Sequence, residues 1–206
     1  MKRIGGVLGG FFVASCAMSQ VTGLVTIPVA DTKGVREVEV GYLVTGNERN
    51  IDKGYSHFGY AILGVHERVE IAGSTDFNGG NTWGFKVKLV DSPKGHYAVS
   101  CGCQNISAGN SDPFVVGRYD LANARLHAGW SRDDSSRFIC GFDVPVTTDL
   151  TFAMDHWSGE GGSTWGGLFY GIPGVDGLTA NLFVGFPNEQ GSGIQHTLGL
   201  VYGFRF

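Results

Sequence analysis

From about residue 37 onward, apolar and polar positions alternate with period two, and the spacing of an amphipathic helix is absent. The last segment is the clearest. His196, Leu198, Leu200, Tyr202, Phe204 and Phe206 share one face, and Thr197, Gly199, Val201, Gly203 and Arg205 share the other. One face is large and apolar and ends in aromatics; the other is small or polar. The same texture recurs along the chain. Val38, Val40 and Tyr42 alternate with Glu39 and Gly41; Phe58, Tyr60 and Ile62 alternate with His57, Gly59 and Ala61; Trp83, Phe85 and Val87 alternate with Gly84, Lys86 and Lys88. Residues 164–172 also read as a strand, but carry large side chains on both faces, so their phase stays open. The pattern predicts about twelve strands.

The breaks carry turn residues, as in Asp91-Ser92-Pro93-Lys94-Gly95 and Pro173-Gly174-Val175-Asp176-Gly177. Connections at 64–67, 91–95, 121–124, 145–149 and 173–177 are short. Those at 46–54, 105–113, 131–136, 157–163 and 187–195 are mostly longer, with 77–81 an exception. An up-and-down barrel with short periplasmic turns and longer outer loops has this alternation.

Charge then separates a membrane barrel from a soluble sandwich. Glu39, Glu70, Lys86, Lys88, Arg118, Asp120, Arg125, Asp143, Asp155 and Arg205 all fall on the small-residue face. Charge is costly on a lipid-facing wall and tolerable on an inner one. The fold expected is all-β: a closed up-and-down antiparallel transmembrane β-barrel, with those ten residues lining its lumen. Five are acidic and five basic, which favours mutual pairing over a filter of one sign. Small inward residues such as Gly41, Gly59, Ala61, Ala72, Gly84, Gly199 and Gly203 leave the lumen partly open on this reading. Tyr42, Tyr60, Trp83, Tyr97, Trp130, Phe186 and Tyr202 lie towards strand ends, as interfacial girdles do.

Composition agrees. Charged residues are 17%, below the roughly 25% of soluble domains. The net charge of −4 offers no broad basic surface for nucleic acid. Residues 1–20 read as a signal peptide: Lys2 and Arg3, an apolar run over 4–13, then the small residues Ala14, Ser15, Cys16 and Ala17. That run is too short to span a bilayer as a helix. Cleavage after Ala17 fits a secretory signal, while Val13-Ala14-Ser15-Cys16 resembles the lipobox of bacterial lipoproteins, with Cys16 acylated. Residues 21–35 then form a periplasmic lead-in, and 36–206 the barrel.

Catalytic chemistry finds little support. Asp155 and His156 are adjacent, so they face opposite sides of a strand. Asp133 and Asp134, beside Ser131, Ser135 and Ser136, read as a solvated loop before they read as an acidic dyad. His57 and His127 point to the expected lumen, within reach of Glu39 or Asp120. No Gly-x-Ser-x-Gly elbow is present, and no residue set is spaced for a metal or cofactor. Cys101, Cys103 and Cys140 read as small apolar filler. An outer-membrane hydrolase and a lipid-anchored soluble β-sandwich binding module are the alternatives to a structural or transport barrel.

Two stretches resemble known families. The ending Leu200-Val201-Tyr202-Gly203-Phe204-Arg205-Phe206 resembles the C-terminal signal of bacterial outer-membrane proteins. That resemblance implies that Tyr202, Phe204 and Phe206 are read by the barrel-assembly machinery, and that the chain resides in outer-membrane lipid. Gly23-Leu24-Val25-Thr26-Ile27-Pro28-Val29-Ala30, with Gly34 and the strand from Val38, is similar to the start of YjbH-like outer-membrane proteins. So is Gly64-Val65-His66-Glu67-Arg68-Val69-Glu70. YjbH-like proteins are much longer; the resemblance implies a role accessory to exopolysaccharide production or export, with a polysaccharide or small solute as partner.

Overall fold

The computed structural model describes residues 21–47, 54–92, 94 and 96–206. The expected signal peptide and the lipobox read at Cys16 lie outside the described residues. Twelve antiparallel strands follow one another: β1 (Glu37–Asn47), β2 (Ser56–His66), β3 (Val69–Thr75), β4 (Asn81–Asp91), β5 (Tyr97–Ser107) and β6 (Asn110–Asp120) make the first half. β7 (Arg125–Arg132), β8 (Ser136–Pro145), β9 (Leu150–Trp157), β10 (Ser163–Gly171), β11 (Leu178–Pro187) and β12 (Gln195–Arg205) complete it. Each strand pairs with its neighbours in sequence, and β1 pairs with β12 from Glu37 opposite Arg205 to Asn47 opposite Gln195. The sheet therefore closes without an edge, which is what a sheet must do where no water can satisfy its backbone.

Register fixes the faces, because residues directly opposite one another point the same way. The outward face is apolar. Leu198 and Leu200 are 58% and 55% exposed, and Val115, Leu126, Leu168 and Leu182 join them. A belt of this kind is stable against lipid and costly against water. Trp83, Tyr97, Trp130, Phe186, Tyr42 and Tyr202 are exposed on it. β10 resolves its own ambiguity: Trp165 and Phe169 face in, Leu168 and Tyr170 face out.

Three expectations are corrected. First, β2 has the opposite phase. Ile62 opposes Glu39 and Tyr60 opposes Gly41, so both point inward, and Tyr60 is no girdle residue. Gly59, Ala61 and His57 point outward, where the His57 ring nitrogen Nδ1 meets the Tyr42 hydroxyl at 2.6 Å. Second, two connections expected to be long are tight: the β5–β6 hairpin turns at 108–109 and the β7–β8 hairpin at 133–135. Their polar flanks are absorbed into the strands, with a bulge between Gln104 and Ser107. Third, residues 21–35 are not a lead-in outside the barrel. Val21, Leu24, Val25, Ile27, Val29 and Ala30 are buried within it.

Candidate functional site: an occupied lumen

The inserted segment is a small hairpin that runs back into β1. The Leu24 amide donates to the Ile27 carbonyl at 2.9 Å and the Val29 amide to the Thr22 carbonyl at 3.1 Å, with Gly23 and Pro28 bridged. Its apolar side chains pack into two clusters with inward residues of the wall. Leu24, Val25, Ile27 and Val29 meet Ile139, Ala153, Trp157, Trp165 and Phe183. Val21 and Ala30 meet Ile62, Ala72, Ala98, Phe114 and Val116. Full burial of an aliphatic side chain is worth about 1.5–3 kcal/mol, so the segment gains much of its hold in this way.

Polar groups fix its position. The tip of the hairpin leaves three successive amides without partners of its own, and buried amides must find acceptors. Asp155 supplies one. Its Oδ2 accepts from Val25, Thr26 and Ile27 at 2.9, 2.5 and 3.1 Å, and its Oδ1 from the Thr26 hydroxyl at 2.9 Å. The Trp157 indole donates to that hydroxyl at 3.0 Å. A second carboxylate, Glu70, accepts the Thr22 amide and hydroxyl, each at 2.7 Å, and the Lys33 amide at 2.8 Å. Lys86 lies 3.0 Å from Glu70 and donates to the Thr22 carbonyl at 2.8 Å. The side chains of Glu70 and Lys86 are wholly buried. Further along, Ser100 donates to the Ala30 carbonyl at 2.5 Å, Asp31 pairs with Arg118, and Lys33 pairs with Glu39. The Arg36 amide closes onto the Gly64 carbonyl at 3.0 Å.

The ten charges read from the sequence can now be located. Glu70, Lys86, Asp143 and Asp155 are buried inside, with Glu39, Lys88, Arg118 and Asp120 partly buried on the inward face. Arg125 lies on the same face, half exposed, 2.8 Å from Asp143. Arg205 shares the inward phase through its register with Glu37 but is exposed at the rim. Pairing among wall residues alone does not describe the set. Asp155 is matched by backbone amides, and Glu39 and Arg118 are matched by Lys33 and Asp31 of the inserted segment.

The remaining candidates are placed as follows. His127 is buried inside, 2.9 Å from Asp143 rather than Asp120, whereas His57 is outside. Asp133 receives Arg137 at 2.6 Å and the Ser135 amide at 2.9 Å, so it ties a turn. Arg137, Asp112 and Asn181 are inward residues that the sequence reading passed over. Cys101, Cys103 and Cys140 are free thiols, each half-buried.

The segment does not fill the lumen. Between it and the wall formed by β1, β2 and β10–β12 a crevice of about 160 Å³ remains. Thr22, Leu24 and Val25 form one side; Glu39, Leu43, Tyr60, Phe169, Thr179, Asn181, Phe183 and Val201 form the other.

Solved outer-membrane porins share this architecture. The KdgM porin in complex with disordered oligogalacturonate aligns at a TM-score of 0.60 and 11% identity, over 81% of this chain and 99% of that one. Omp33 from Acinetobacter baumannii gives 0.52 at 13% identity, over 84% and 100%. The NanC porin gives 0.51 at 11%, over 82% and 100%. No family model matches the chain, and no curated protein matches it in sequence. The likeness is one of fold: the chain is a closed twelve-stranded antiparallel barrel of outer-membrane architecture, and its apolar belt fits that membrane.

Proposed function

We propose that the protein is an outer-membrane channel of small cross-section, narrowed by its own residues 21–34, that passes small polar solutes. The observation that carries this is the hairpin held inside a closed barrel by Asp155 and Glu70, with a crevice left along one wall. A barrel of this strand number encloses more space than side chains alone fill. Here a peptide segment occupies part of it. Gly141 is small where Leu24 packs, since an added Cβ would lie 2.6 Å from Leu24 Cδ2.

The ten inward charges then have a division of labour. Glu70, Lys86, Asp155 and Arg118 seat the segment, while Glu39 borders the crevice. The two stretches similar to YjbH-like proteins coincide with the hairpin and with its dock on β2 and β3. That coincidence supports a role accessory to surface polysaccharide. The same reading has residues 1–20 removed on export and Tyr202, Phe204 and Phe206 presented to the barrel-assembly machinery.

The test is electrical. The purified mature protein in planar bilayers should give small, steady unitary currents. A membrane that stays silent after verified insertion contradicts the channel.

A further inference from the structure

We infer that the crevice is a docking site for one ring of a neutral, polyhydroxylated solute, a sugar of monosaccharide size. The inference deepens the channel reading by naming what the crevice takes.

Asn181 is the first observation. It is 7% exposed and lines the crevice, and its Oδ1 has no hydrogen-bond partner among the described residues. Buried amide groups are nearly always satisfied, so an orphan oxygen on a residue that lines a cavity points to a hydrogen-bonding partner there. The crevice adds the Thr179 hydroxyl, which can give and take hydrogen bonds, and the Tyr60 hydroxyl, which donates to Glu39 and keeps its capacity to accept.

Shape is the second. Phe169 and Phe183 meet edge to face, with ring centroids 5.0 Å apart and planes at 60°. Phe169, only partly buried and backed by Phe183, offers apolar surface to the C–H face of a sugar ring, while Asn181, opposite it in register, meets the hydroxyls. Pockets for drug-sized ligands run to about 300–1,000 Å³. At about 160 Å³ this one suits a single ring and not a chain of them.

Charge is the third. Among the described residues Glu39 is the one charged residue that lines the crevice, and Lys33 and the Tyr60 hydroxyl, 3.0 Å away, already engage it. The cations of the opposite wall are committed: Lys86 to Glu70, Arg118 to Asp31 and Asp120, Arg125 to Asp143. Among the described residues an anionic sugar acid finds no uncommitted cation here, and a neutral ring needs none.

The experiment uses the full mature protein in planar bilayers, with glucose and galacturonate as probes. Millimolar glucose should reduce the ion current saturably, and galacturonate at equal concentration should do so at least tenfold less strongly. Asn181→Leu should weaken the glucose effect at least tenfold and Thr179→Val about threefold. Leu198→Ala, on the lipid face, should leave it unchanged. Heat-shifted migration on detergent gels establishes that each variant is folded. Equal block in wild type and Asn181→Leu, or galacturonate as strong as glucose, overturns the inference. Conduction with no glucose effect also refutes the site, yet keeps the channel. A silent barrel that binds glucose in detergent, with affinity lost in Asn181→Leu, refutes the channel and keeps the site.

Discussion

Thr26 and Asp155 stand 129 residues apart in the chain and meet inside the barrel, the Thr26 amide and hydroxyl donating to the two carboxylate oxygens at 2.5 and 2.9 Å. With the amides of Val25 and Ile27 they make a small anion-binding concavity whose anion is a wall side chain. The contact decides where the hairpin tip sits, and hence how much of the lumen stays open.

Asp155→Ala should release that tip. Each buried amide left without an acceptor costs about 1–3 kcal/mol, and three are affected. Amide exchange at Val25, Thr26 and Ile27 should accelerate markedly while the strands remain protected. Asp155→Asn, which keeps an acceptor oxygen, should show a smaller effect.

Lys86→Met should be costlier than its double partner. The lone substitution leaves Glu70 buried without its cation, a loss of about 3–5 kcal/mol where ion pairs are broken on one side. Lys86→Met with Glu70→Gln should recover part of that loss. The temperature at which the barrel loses its folded gel mobility measures both, and equal shifts for the single and double variants would count against the buried pair.

Much of the barrel was legible because lipid outside and polar lumen inside impose opposite demands on alternate residues. β12 and β4 display this plainly, as Leu198, Leu200 and Tyr202 oppose Thr197 and Gly199, and Trp83 and Phe85 oppose Gly84 and Lys86. The rule fails where the lumen itself is apolar. Ile62 and Tyr60 pack towards the inserted segment, so their side of β2 resembles a lipid face, and the phase came out reversed. Leu43, Val116 and Ile139 are inward for the same reason. The hairpin was hidden because 21–30 has no charged residue and no period-two partner in sequence; its acceptors lie on β3 and β9. One signal was present: Asp155 was the inward carboxylate of a strand with no basic residue near it in register.

The corrected phase of β2 predicts an asymmetry. Ala61→Arg places a cation on the lipid face, where the cost is about 2–4 kcal/mol near the bilayer midplane. Folding into vesicles should fall sharply. Were Ala61 inward, the arginine would be tolerated, and normal folding yield would restore the original assignment.

Gly64 lets the backbone of the segment lie directly against the wall. A Cβ there would collide with the backbone carbonyl of Gly34, and no rotamer change relieves a clash with backbone. Overpacking of this sort costs about 1–3 kcal/mol. Gly64→Ala should loosen residues 30–36 in amide exchange before it lowers the stability of the strands, whereas Gly73→Ala, with only the Thr82 carbonyl at 3.8 Å, should be benign.

The most direct measurement compares unitary conductance of the mature barrel with that of a barrel refolded without residues 21–33, both verified as folded by heat-shifted migration. Removing the hairpin empties the space it occupies between the two walls, so the account predicts a conductance several-fold larger and a larger size limit for neutral solutes. Equal conductance in the two proteins would contradict a lumen narrowed by its own N-terminal segment.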